Sequence, residues 1–146
     1  MATNSVFSYD TTRELNFELF IMRVACALPF LYHGCQILLG KFGGPGPVNF
    51  AAGMHAPAVV GYLVGLAQLA GGVAILTGAL IRVGAVCVII VMAGAVYLVH
   101  LPHGYDIGHG GMEYALTELL LAFGLLLSGA GKFSLGRILP ASLQNL

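Results

Sequence analysis

Four stretches of about 20 largely apolar residues punctuate the chain, at Phe17 to Leu39, Pro57 to Thr77, Arg82 to Leu101 and Met112 to Gly129. A helix needs about 20 such residues to cross a hydrocarbon core of about 30 Å. The pattern therefore predicts an all-α, four-transmembrane-helix bundle forming one membrane domain over residues 1–146. The separators read as loops: Gly40 to Ala56 contains GKFGGPGP, Gly78 to Ile81 is very short, and Pro102 to Gly111 reads PHGYDIGHGG. The polar opening MATNSVFSYDTTRELN has neither a basic start nor a small-residue cleavage site, so the first apolar segment is expected to stay as an anchor. The tail from Lys132, KFSLGRILPASLQNL, is mildly amphipathic, and residues 130–146 are expected at the membrane surface.

Composition agrees with this reading: 58% of residues are hydrophobic and 8% are charged, where a soluble domain carries about 25% charged residues. Net charge is zero and no run of Lys or Arg exceeds one residue, so neither a nucleic-acid footprint nor a polybasic lipid patch is expected. Partners are sought in or at the bilayer: lipids, other subunits of a membrane complex, or further copies of the chain. Cys26, Cys35 and Cys87 all lie in apolar runs without a C-x-x-C pair, so they read as buried thiols rather than a zinc or dithiol site.

With four spans, both termini fall on one side together with Arg13, Arg82, Lys132 and Arg137, while Lys41 alone lies opposite. The excess of basic residues places the termini in the cytoplasm, in the inner membrane of a bacterium or archaeon. All five histidines then face outward: His33, His55, His100, His103 and His109. So do Tyr32, Tyr62, Tyr97, Tyr105 and Tyr114, leaving Tyr9 inside. A tyrosine belt at the interface needs no function, but it does not explain the histidines.

Polar groups within spans are expensive and normally face protein or water. His33 and Gln36 share a helix face with Pro29 and Gly40, and Pro29 should kink the first span just below His33. Gly61, Gly65, Gln68 and Gly72 form a small-residue stripe that aims Gln68 at neighbouring helices. Ala115, Glu118 and Ala122 form another in the fourth span. Glu118 is open to two readings, a structural ion pair or hydrogen bond, with Arg23 as a candidate partner, or a proton-handling or ligand-binding role. It and His33 lie at similar depth, roughly 9 Å below the outer boundary at 1.5 Å per residue. That depth predicts one polar cluster around a cavity.

Arg23, His33-Gly34-x-Gln36, Gly40, Gly43-Gly44, Phe50, Gly53, Pro57, Leu66-Ala67-x-Leu69-x-Gly71-Gly72, Arg82, Val99-His100-Leu101-Pro102 and Gly111-x-Glu113-Tyr114-Ala115-Leu116 together resemble the DoxX family of four-span membrane proteins. The resemblance covers about Phe17 to Leu135. It implies a quinone or redox context, because the family is tied to small membrane subunits of thiosulfate:quinone oxidoreductases. Ile37 stands where a Lys often follows the histidine motif, and Gln68 where Glu is common, which removes an ionisable group from the second span.

The reading that follows is a membrane subunit binding a quinone or similar lipophilic molecule near the outer interface. His33, Gln36, Gln68, Tyr97, His100 and Arg23 are the candidate binding residues, with Glu113 or Glu118 exchanging protons. No haem, flavin or iron–sulfur motif is visible, so electrons would come from a partner. Two alternatives stay open: a non-catalytic scaffold whose polar residues lock the bundle, and a metal site of His100, His103 and His109 with His55 or Glu113.

Overall fold

The computed structural model describes residues 11–144 and 146; the first ten residues, including Tyr9, lie outside the described residues. Every regular element among the described residues is helical. Helix α1 covers Thr11–Leu39 and runs unbroken through Pro29. A short helix α2, Gly46–Gly53, sits inside the first long loop with a proline in its first turn. Helix α3 covers Ala58–Thr77. Helix α4 covers Ile81–Gly94 and continues as a π-helical turn over Ala95–His100 and a 3₁₀ turn over Leu101–His103. Helix α5 covers Glu113–Ser128, and the tail carries a 3₁₀ turn at Leu135–Ile138.

Three of these helices are long and apolar enough to cross a membrane: Arg13–Leu39, Ala58–Thr77 and the continuous Ile81–His103. Helix α5 has 16 residues, about 24 Å at 1.5 Å per residue, and is shorter than the expected fourth span. The long apolar faces of α1, α3 and α4 are left exposed, as in Leu28, Leu63, Leu66, Ile90 and Leu98, and suit lipid rather than water.

Glycine sets the packing. A methyl group on Gly34 of α1 would meet the Leu69 backbone nitrogen at 2.6 Å, and one on Gly65 of α3 would meet Leu38 at 2.9 Å. Pairing of Gly72 with Leu31 completes an antiparallel register between α1 and α3 at near backbone contact. Gly61, Gly65, Gln68 and Gly72 are all buried, as the stripe requires. The α5 stripe of Ala115, Glu118 and Ala122 is buried too. Behind these faces the core is built from Cys26, Phe30, Ile75, Val88 and Leu125.

The bundle has two dissimilar ends. Helix α1 begins, α3 turns into α4, and the tail folds at the terminal end; the histidines collect at the other. The α3–α4 turn depends on Gly78, whose φ of 72° is left-handed and whose Cα faces the Arg23 guanidinium. The tail is tied to the bundle there: Ser134 Oγ donates to the Gly78 carbonyl at 3.0 Å, and the Lys132 N–H donates to Asn16 Oδ1 at 2.6 Å.

Candidate functional site

Arg23 is 1% exposed. Its Nε donates to the Ile75 carbonyl at 2.9 Å, Nη2 to the Leu76 carbonyl, and Nη1 to the carbonyls of Ala130, at 3.0 Å, and Phe133. These acceptors belong to the last turn of α3 and to the segment after α5, where helix ends leave carbonyls without intrahelical partners. Arg23 therefore does not pair with Glu118, and it stands at the far end from the histidines. Its guanidinium acts as a staple, because a planar fork with five donors matches several scattered carbonyls.

Glu118 is 6% exposed, and its Oε2 has no hydrogen-bond partner. The Cys26 thiol of α1 lies near its carboxyl. Cys26 precedes His33 by two helical turns, about 10 Å along the axis. No hydrogen bond or ion pair joins Glu118 to His33, so the structure does not bring the expected cluster together. Gln68 is buried as well, with Oε1 unpartnered. Glu113 is spent locally, its Oε2 accepting from the Ile107 N–H at 3.3 Å.

The loop histidines do not converge either. His100 Nδ1 donates to the Gly110 carbonyl at 2.8 Å, His103 Nδ1 to the Val99 carbonyl at 2.9 Å, and His109 Nδ1 pairs with Asp106 Oδ2 at 2.8 Å. Each ring is turned to its own local partner. Among the described residues no group of three His, Cys, Asp or Glu side chains could hold a metal ion, which removes the geometric basis for the expected site of His100, His103 and His109. His55 is held apart in a turn with φ of 53°. Tyr97 lies in the π-helical turn and is 71% exposed.

What the fold does assemble is a compact cluster where α1 meets the first long loop. His33 Nδ1 and Gln36 Oε1 are 3.0 Å apart, and Gln36 Nε2 donates to Tyr32 Oη at 3.2 Å and to the Phe42 carbonyl at 3.4 Å. Tyr32 stacks on Phe42 at 5.3 Å between centroids and meets the His33 ring edge-on at 5.3 Å. The proton assignments follow from one fixed point: the Phe42 carbonyl only accepts, so the Gln36 amino group must face it. Gln36 Oε1 then faces His33, and Nδ1 must carry the proton. In the neutral ring Nε2 is left as an acceptor. Tyr32 Oη accepts from Gln36, so its own hydrogen is free to donate elsewhere. Tyr32 and His33 are both exposed, and the cluster thus presents one donor and one acceptor to whatever surrounds the helix.

A family model for DoxX matches residues 18–101, more than half of the chain. The chain belongs to the DoxX family. The match runs from α1 through the π-helical end of α4, so it includes Arg23, the Tyr32–Phe42 cluster and Gln68, and stops before α5 and Glu118. No curated protein and no solved structure matches it. With this family and these apolar helices, the chain is a helical membrane protein in contact with lipid.

Phe42 and Tyr32 are the residues that sequence reasoning missed. Phe42 carries a φ of 53° just after the α1 helix end, which turns its ring back on Tyr32. Its aromatic type beside GKFGG was the available signal. Tyr32, by sequence alone, reads only as part of an interface belt.

Proposed function

We infer that this DoxX protein is the membrane subunit of a quinone-linked redox complex, and that the Tyr32–His33–Gln36–Phe42 cluster receives the quinone head group. The single observation that supports it is the polarity of the cluster. One free donor at Tyr32 and one free acceptor at His33 Nε2 face the exterior beside a stacked aromatic surface. A quinone supplies two carbonyl oxygens that accept hydrogen bonds and, when reduced, two hydroxyls that donate them. Tyr32 Oη is placed to donate to an oxygen of the oxidised form. His33 Nε2 is placed to accept a proton from a hydroxyl of the reduced form, and Gln36 holds the ring in the tautomer that allows it. Phe42 and Tyr32 offer a flat apolar face to the ring plane. Gln68, Tyr97, His100, Glu113 and Glu118 have no part in this arrangement.

The reading carries a topology with it: four spans in the cytoplasmic membrane, termini in the cytoplasm and the cluster at the outer surface. Support comes from the cations, since Arg13, Arg82, Lys132 and Arg137 lie at the terminal end and Lys41 at the other.

The test is lipid extraction from purified protein. Near-stoichiometric quinone is expected in the wild type and a loss of tenfold or more in His33→Leu and Gln36→Leu, with His109→Leu unchanged. A scaffold would carry no such lipid, and the buried glycine stripe and the Arg23 staple are the features that favour that second reading. Quinone content equal to that of bulk membrane in every variant would establish the scaffold instead.

A further inference from the structure

The terminal end holds a second feature that no motif announces. Arg82, Lys132 and Arg137 are well apart in the sequence, yet all three line one cavity of about 330 Å³ whose wall also includes Ser128, Ser134 and Gln144. No Asp or Glu side chain lines this cavity. All three cations are exposed. Neither Arg82 nor Lys132 engages its side chain with another described residue, and Arg137 makes only a long bond to the Lys132 carbonyl at 3.4 Å. The ion pair recorded among the described residues, Asp106 with His109, is at the opposite end of the bundle.

The cavity's position selects its ligand. Arg82 lies in the first turn of α4, and Ser128 is the last residue of α5, so the wall sits where the apolar helices stop. With α4 and α5 both crossing the bilayer, as in the proposed topology, that is the level of lipid phosphates. The tail forms the floor, held by the Ser134–Gly78 and Lys132–Asn16 bonds, and its fold brings Lys132 and Arg137 to Arg82. Three like charges around one small volume repel each other, and an anion seated among them removes that cost. Its size is at the lower end of ligand pockets and suits a phosphate with a short polar substituent.

We propose that this cavity binds the phosphate group of an anionic ligand, with a phospholipid headgroup as its source at this depth. The proposal concerns the end of the bundle opposite the Tyr32 cluster, and it stands whether or not a quinone binds there. The full chain is reconstituted in vesicles of phosphatidylcholine and phosphatidylglycerol, and the lipid retained after detergent extraction is counted by native mass spectrometry. In parallel, binding of inorganic phosphate is followed by phosphorus NMR. Phosphatidylglycerol is expected to be enriched over its bulk fraction. A single exposed cation is worth about fivefold near an anionic surface, so Arg82→Gln should lower the enrichment about fivefold. The triple change Arg82→Gln, Lys132→Gln, Arg137→Gln should abolish it, while Lys41→Gln, at the other end, leaves it intact. Saturable inorganic phosphate binding without lipid enrichment, lost in Arg82→Gln, would support the same phosphate site with a soluble source. Absence of both, or enrichment equal in wild type and Arg82→Gln, would overturn the proposal; the single variant keeps this decisive should the triple variant unfold.

Discussion

Replacing Arg23 by Leu should remove the main tie between the α1–α3 pair and the segment after α5. The side chain is 1% exposed and donates to four carbonyls, those of Ile75, Leu76, Ala130 and Phe133. Charged donors contribute about 1.5–3 kcal/mol per hydrogen bond, and a buried carbonyl left without a partner costs about 1–3 kcal/mol. These terms overlap and do not simply add. Some of the carbonyls are also part-buried, so water can replace part of the loss. A net destabilisation of about 2–4 kcal/mol follows, because the change removes the one charge and leaves only neutral carbonyls short of a partner. Arg23→Lys should recover a minor part, since an ammonium cannot span both the α3 end and the tail. Equilibrium unfolding in mixed micelles measures both variants. A double-mutant cycle with Glu118→Gln adds a direct check: with no ion pair between the two residues, their effects should add to within about 0.5 kcal/mol. Stability of Arg23→Leu within about 0.5 kcal/mol of wild type would refute the staple, and strong coupling to Glu118 would restore the ion pair.

Gly34→Ala should cost about 2 kcal/mol through the clash of its methyl with the Leu69 backbone, read in the same unfolding assay. The same change at Gly124, where nothing lies within 4 Å, should be close to neutral or stabilising. Asp106→Ala removes the side-chain cap on the Gly108 N–H and the contact with His109, and should raise amide exchange at Gly108 by roughly fivefold, about 1 kcal/mol of local capping. The span count is decided by accessibility labelling of Asn49→Cys and Ser142→Cys in a background where Cys26, Cys35 and Cys87 are replaced by Ala. Opposite sides mean that α5 crosses the membrane; the same side means that it does not, and the four-span reading fails.

The apolar pattern located α1, α3 and α4 because lipid exposure demands long uninterrupted runs, and the glycine stripe placed Gln68 in the interior because only small residues allow that approach. It missed α2, whose eight residues lie in a Gly/Pro-rich segment that reads equally as coil. Arg23 was legible as a cation in need of partners, but its partners are backbone carbonyls at helix ends, which have no side-chain signature. The side-chain signal that the sequence does offer is Glu118, the carboxylate set deepest in an apolar span. The expected match in depth between Glu118 and His33 assumed straight, parallel helices counted from their ends. Instead, the carboxyl lies near Cys26, two helical turns before His33 on α1. The grouping of Arg82, Lys132 and Arg137 depends on how the tail folds back, which no local periodicity encodes.

The most direct test of the proposed quinone site is photoaffinity mapping with an azido-quinone on the reconstituted protein. Labelling should fall within the segment from Tyr32 to Phe42, should be displaced by unlabelled quinone, and should be lost in His33→Leu. Displaceable labelling concentrated on α5 around Glu118, or only diffuse labelling of the lipid-facing helices that excess quinone does not reduce, would contradict it.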